Sequence, residues 1–105
     1  VVFQIKEYLH QNYAVPSLSV PDISEHVRLS PTYVCTLFKN ETGQTLNQYL
    51  TDYRIKMSKQ FLSDPLYKIT DISAKVGYSD GNYYSKAFRK IVGLSPSEYR
   101  EKMLR

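Results

Sequence analysis

A chain of 105 residues has room for one domain, and a 42% hydrophobic share that includes ten Tyr and four Phe excludes a disordered segment. No apolar run approaches the roughly 18 residues of a membrane span, and no basic-then-apolar leader opens the chain. The net charge of +4 favours an anionic partner, and it is unevenly placed, with a net of −1 over residues 1–45 and +5 over residues 46–105.

Val2, Ile5, Leu9 and Tyr13 recur at spacings of three and four, which predicts an amphipathic helix from Val2 to Tyr13. After Pro16, Ser19 suits an N-cap with Asp22 three residues on, and Ile23 and Val27 mark a short second helix. Ser30-Pro31 opens a third, which stops at Gly43, a residue free to adopt the left-handed conformation. From Thr45 to Leu62 neither Pro nor Gly intervenes, which predicts a strut about 27 Å long. Its apolar residues fall on two faces, Leu46, Leu50, Tyr53, Met57 and Phe61 on one, Ile55 and Leu62 nearly opposite. Pro65 ends it. Ile72, Val76 and Tyr78 then lead to a Ser79-Asp80-Gly81 turn, a helix through Tyr84, Phe88 and Ile91, and a stop at Gly93. Ser95-Pro96-Ser97-Glu98 is a capping box that opens the last helix. Strand-like alternation is absent, so the expected fold class is all-α.

The second half repeats the first. At an offset of 49, Ile23-Ser24 matches Ile72-Ser73, Val27 matches Val76 and Ser30 matches Ser79; at an offset of 50, Tyr33 matches Tyr83, Phe38-Lys39 matches Phe88-Arg89 and Gly43 matches Gly93. Two copies of helix, turn, helix result, the second with one extra residue in its turn. Such a unit braces one helix so that another presents its outer face to the DNA major groove. At about 100° per residue, Val34, Leu37 and Phe38 share one side of the first such helix, with Thr32, Thr36 and Lys39 opposite and Cys35 at the flank. In the second, Tyr84, Ala87, Phe88 and Ile91 cluster, Asn82, Lys86 and Arg89 lie opposite, and Ser85 and Lys90 flank them. Asn can pair with adenine, Lys with guanine, and Thr or Ser with several base edges. Lys39, Arg89 and Lys90 are read as phosphate contacts, which position without specifying sequence.

Over essentially its whole length the chain resembles the C-terminal DNA-binding domain of AraC/XylS-type transcriptional regulators. The resemblance is carried by Ile72 through Asp80, by Tyr83 through Lys90, and by Gly93-Leu94-Ser95-Pro96-Ser97-Glu98-Tyr99-Arg100. Leu29-Ser30-Pro31, Leu37-Phe38-Lys39, Glu41-Thr42-Gly43 and Arg54-Ile55 match the first half. It implies seven helices in two tri-helical, homeodomain-like subdomains, residues 1–44 and 64–105, joined by a linker helix at 45–63. It also implies base contacts at Thr32, Cys35, Thr36, Asn82, Ser85 and Lys86, and a contact with RNA polymerase. The chain departs from the family at Arg28, where a Gly is usual, as at Gly77. If that position needs a positive φ, Arg28 costs on the order of 1 kcal/mol, and it gains a role as a further phosphate contact.

Other classes fit less well. His10 and His26 are expected as lone residues on polar helix faces, far from Cys35 and from any nucleophile arrangement, so no catalytic site, metal site or cofactor is expected. Cys35 reads as a small packed residue before a redox switch. Tyr49, Tyr53, Tyr84 and Tyr99 fall on packing faces, not on a single-strand stacking platform, while Tyr33 and Tyr83 sit at the edges of the reading helices. The rival from another class is a helical protein–protein docking module, whose binding would lack the steep salt dependence of phosphate contacts. A start at Val1 suggests an excised stretch. It is expected to act on double-stranded DNA as a monomer, cytoplasmic and nucleoid-associated, with any dimerisation resting on a domain outside it.

Overall fold

Helix ends leave backbone groups unpaired, and in this chain side chains and glycines meet most of them. In the computed structural model, which describes residues 1–104, the seven helices are α1 (Val2–Asn12), α2 (Val20–Val27), α3 (Pro31–Thr42), α4 (Leu46–Leu62), α5 (Ile69–Lys75), α6 (Gly81–Val92) and α7 (Pro96–Met103). Arg105, the last residue of the predicted second subdomain, lies outside the described residues. The Ser19 N–H and hydroxyl both donate to Asp22 Oδ2, at 3.0 and 2.9 Å. Ser30 accepts from the Tyr33 N–H at 3.2 Å and Asp80 from the Asn82 N–H at 2.8 Å. Reciprocal capping boxes open α4 (Thr45 with Gln48) and α7 (Ser95 with Glu98). Gly43 and Gly93 close α3 and α6 at φ 78° and 87°. The fold is all-α, and among the described residues no helix is long and apolar enough to cross a membrane.

Two cores form, and α4 belongs to both. Ile5, Leu9, Ile23, Val34 and Phe38 gather around Leu46 and Leu50 at the start of α4; Ile72, Val76, Tyr84 and Phe88 gather around Ile55 and Leu62 at its end. The two predicted faces of α4 thus serve different cores, but the split also runs along its length. Met57 and Phe61, placed by periodicity with Leu46 and Leu50, pack at the edge of the second core because the first ends a turn before them. Ile91 departs from expectation too. It is 43% exposed, since the last turn of α6 projects past the core and Val92 makes the contact instead.

The repeat is deeper than the sequence match. The burial sequence of α3 is reproduced along α6, with Val34 and Phe38 answered by Tyr84 and Phe88. Phe38 packs edge-on against Tyr49 with centroids 5.4 Å apart, as Phe88 does against Tyr99 at 5.5 Å, so the start of α4 is the structural counterpart of α7. The turns match as well. Leu29 N–H donates to Ser24 O at 3.1 Å and Tyr78 N–H to Ser73 O at 2.9 Å, the long bond of a left-handed helix stop. In the first copy the left-handed residue is Arg28, at φ 59° and ψ 42°, the one non-glycine with positive φ among the described residues. Arg28→Gly is therefore expected to stabilise the chain by about 0.5–1 kcal/mol, relief of strain outweighing the added freedom of the unfolded chain. Urea unfolding checks this.

Gly77, the counterpart of Arg28, sits at φ 97° for a second reason. A Cβ there would collide with Tyr13 O and would lie 2.8 Å from Arg54 Nε. Arg54 is the joint between the halves. From α4 it donates to Tyr13 O at 2.9 Å and Val15 O at 3.0 Å, and its guanidinium lies 5.6 Å from the Tyr78 ring centroid. Burial draws its pKa below the usual value, with Tyr78 opposing the shift. Arg100 works similarly from α7, donating to Leu62 O and Asp64 O at 3.0 and 3.2 Å and closing the end of α4.

Tyr84 is wholly buried and its hydroxyl lacks a hydrogen bond of regular geometry; its polar neighbour Ser58 donates instead to Ile55 O at 2.7 Å. Burial accordingly pushes the phenol pKa up. Tyr84→Phe removes an underpaired polar atom while keeping the ring, and is expected to leave thermal stability unchanged or raised by up to about 1 kcal/mol. A fall of that size in a calorimetric scan would show that the hydroxyl contributes to the fold.

Candidate nucleic-acid interface

The packing that buries Val34 and Phe38 turns the opposite side of α3 to solvent. Thr32, Cys35, Thr36 and Lys39 are all exposed, and so are Asn82, Ser85, Lys86, Arg89 and Lys90 on α6. The six expected base-reading residues therefore form two trios on corresponding faces of corresponding helices. Their side chains make no contact that packing requires, and the Asn82 N–H is already taken up by Asp80. Threonine, serine and asparagine supply both donors and acceptors there, and Lys86 adds a donor and a positive charge. Cys35 occupies the position of Ser85 and is exposed with a free thiol, which corrects its expected packed role: the neighbours of α3 pack only on the Val34 and Phe38 side.

The expected phosphate contacts separate into three places. Lys39, at the end of α3, donates to Gly43 O at 3.1 Å and so also caps its own helix. Lys39 and Lys90 are brought together across α4, lining one groove of about 560 Å³ whose floor includes Gln44, Asn47 and Gln48. Arg89 lies on the outer side of α6, in the exposed position that Lys39 has on α3. Arg28 is not brought to that groove. It lines a separate hollow of about 320 Å³ with Gln4, Glu7, Gln11 and His26.

Some surface features were not legible in the spacing. Tyr33 and Tyr83, one residue beyond Thr32 and Asn82, are 52% and 67% exposed, so each trio is flanked by an aromatic ring with a hydroxyl. The histidines are not lone. His10 lies 2.7 Å through Nε2 from the Tyr49 hydroxyl and stacks on Tyr53 at 4.2 Å; His26 lies against Tyr8 at 4.3 Å. Partial burial, then Lys56 and Lys6, hold the His10 imidazole below its usual pKa. Its neighbours are contributed by α4, some forty residues on, so no local pattern marks it. Among the described residues no group of three or more His, Cys, Asp or Glu is placed to hold a metal ion.

Comparison with known proteins fits this surface. Residues 23–102 match the family model described as a helix-turn-helix domain. The chain is 36% identical over 102 residues to the Msm operon regulatory protein of Streptococcus mutans, covering 97% of this chain and 36% of that protein. It thus spans about a third of the length of the curated relatives it matches. The solved C-terminal domain of AraT, a response regulator from Geobacillus stearothermophilus, superposes with a TM-score of 0.93 at 29% identity, covering 96% of this chain and 84% of that one. A transcriptional regulator from Chromobacterium violaceum, described as AraC-type and DNA-binding, superposes with a TM-score of 0.89 at 24% identity over 99% of this chain and 92% of that one, a likeness of fold.

Proposed function

Because the chain belongs to the AraC-type helix-turn-helix family, we propose that it regulates transcription by binding double-stranded DNA with α3 and α6 in two successive major-groove segments, about 34 Å apart on one face of the duplex. Residues 1–44 and 64–105 act as the two reading units and residues 45–63 link them. Thr32, Cys35 and Thr36 read one segment; Asn82, Ser85 and Lys86 read the other. Lys39, Arg89, Lys90 and Arg28 hold phosphates. The observation that carries this reading is the identical burial sequence of α3 and α6, which leaves a small, polar or basic face exposed on each. A long axis of 46 Å accommodates the spacing. Since both units sit in one chain, a monomer suffices and its site is asymmetric. Residence on the nucleoid follows from the same affinity, and a contact with RNA polymerase belongs to the sites that adjoin promoters.

The test is a fluorescence-anisotropy titration against a random duplex pool at two salt concentrations, with sequencing of the bound fraction. Salt-sensitive binding that enriches an asymmetric motif over about two helical turns supports the reading. A required inverted repeat, or full affinity for one half alone, overturns the two-segment arrangement. Absence of binding at low salt overturns DNA recognition and favours a protein-docking role.

A further inference from the structure

The groove between the two units lies between the reading helices, and its lining is unlike the rest of the surface. Lys39 flanks the exposed face of α3 and Lys90 flanks that of α6, and both look into it. Its floor is the first half of α4, where Gln44, Asn47, Gln48 and Thr51 present amides and a hydroxyl. One carboxylate is present, Asp52, and it accepts a hydrogen bond from Gln44 Nε2 at 2.9 Å. From Thr42 to Thr51 the chain carries no charged side chain.

The internal repeat supplies a comparison within the same molecule. Asn47, Gln48 and Thr51 correspond, fifty residues on, to Ser97, Glu98 and Glu101 of α7. The two helix starts share the capping box and the aromatic contact, so the backbone requirement is the same. Where the helix adjoins the groove, both acids are replaced by neutral hydrogen-bonding groups. A surface that meets phosphate oxygens excludes carboxylates and supplies donors.

Resting on the DNA-binding reading above, we infer that this groove is a third DNA contact: Asn47, with Gln44 and Gln48, meets the sugar-phosphate backbone that crosses between the two major-groove segments, and Lys39 and Lys90 hold the phosphates at its rims. The linker helix is then part of the binding surface, and its contribution is independent of base sequence.

The experiment reads the affinity of the whole chain for a pool of random duplexes of about 30 base pairs, three helical turns, as a function of salt. Asn47→Asp is expected to weaken binding about tenfold near 0.1 M salt, and Asn47→Lys to tighten it about as much and to steepen the salt slope by about 0.9. The same exchanges at Ser97, its counterpart outside the groove, are the control for a general change in net charge and are expected to shift affinity less than about twofold. An acid in the first turn favours the helix, so Asn47→Asp keeps its fold, which circular dichroism verifies. Equal effects at positions 47 and 97, or no effect at 47, overturn the groove contact while leaving the two reading helices in place. Failure of the unsubstituted chain to bind the pool is the separate result that overturns DNA recognition.

Discussion

Replacing Lys86, Arg89 and Lys90 together with Gln is expected to weaken duplex binding by about two orders of magnitude near 100 mM salt. Neutralised phosphates release counterions, and each charge removed flattens the dependence of log K on log salt by about 0.9, or about 2.7 for the three. Changing Arg28 and Lys39 is expected to do less than its two charges would suggest. Lys39 already shares its ammonium with Gly43 O, and Arg28 lines a hollow beside Glu7 and away from the groove between the units. The first half of the chain is also net negative, whereas residues 46–105 carry the whole excess of positive charge. Titrations of the two variants over a range of salt give both slopes. A larger loss from the Arg28 and Lys39 pair would move the positive field to the first unit.

The second large effect is on stability. Gly77→Ala is expected to cost about 3 kcal/mol, read from urea unfolding, from two sources that add. Alanine at φ 97° is strained by roughly 1–2 kcal/mol, and its Cβ enters space held by Tyr13 O and Arg54, an overpacking cost of about 1–3 kcal/mol. Relief requires Arg54 to give up its hold on Tyr13 O or Val15 O, so the same substitution loosens the union of the two cores. Arg28→Gly has the opposite sign at the equivalent turn. A loss under about 1 kcal/mol for Gly77→Ala would show that the turn shifts freely and that the joint is soft.

Most of the helix map was legible because its signals are local. Ser19, Ser30-Pro31, Thr45 and Ser95 stand where the caps form, and Gly43 and Gly93 where the chain reverses hand. The exposure of Thr32, Thr36, Asn82 and Lys86 followed from a period of 3.6 residues once Val34, Phe38, Tyr84 and Phe88 were recognised as core. What periodicity could not supply was anything joining distant segments. Arg54 and Arg100 reach carbonyls 36 to 41 residues away, and His10 finds its tyrosines on α4. Ile91 obeys the helical period and is still exposed, because where the core stops is a fact of tertiary packing. The groove between Lys39 and Lys90 depends on how both units seat on α4, which no window of sequence contains.

Arg54 fastens the end of α1 to α4, and Gly77 seats the following turn against the same guanidinium, so the two units do not move as beads on a string. Once one is placed on DNA, the other faces its own segment at an effective concentration set by fixed geometry instead of by a tether. A flexible tether forgives a few inserted base pairs. A stiff joint strengthens binding at the matched separation and forfeits the gain at any other, so two correct half-sequences at the wrong distance are, to this molecule, two unrelated sites.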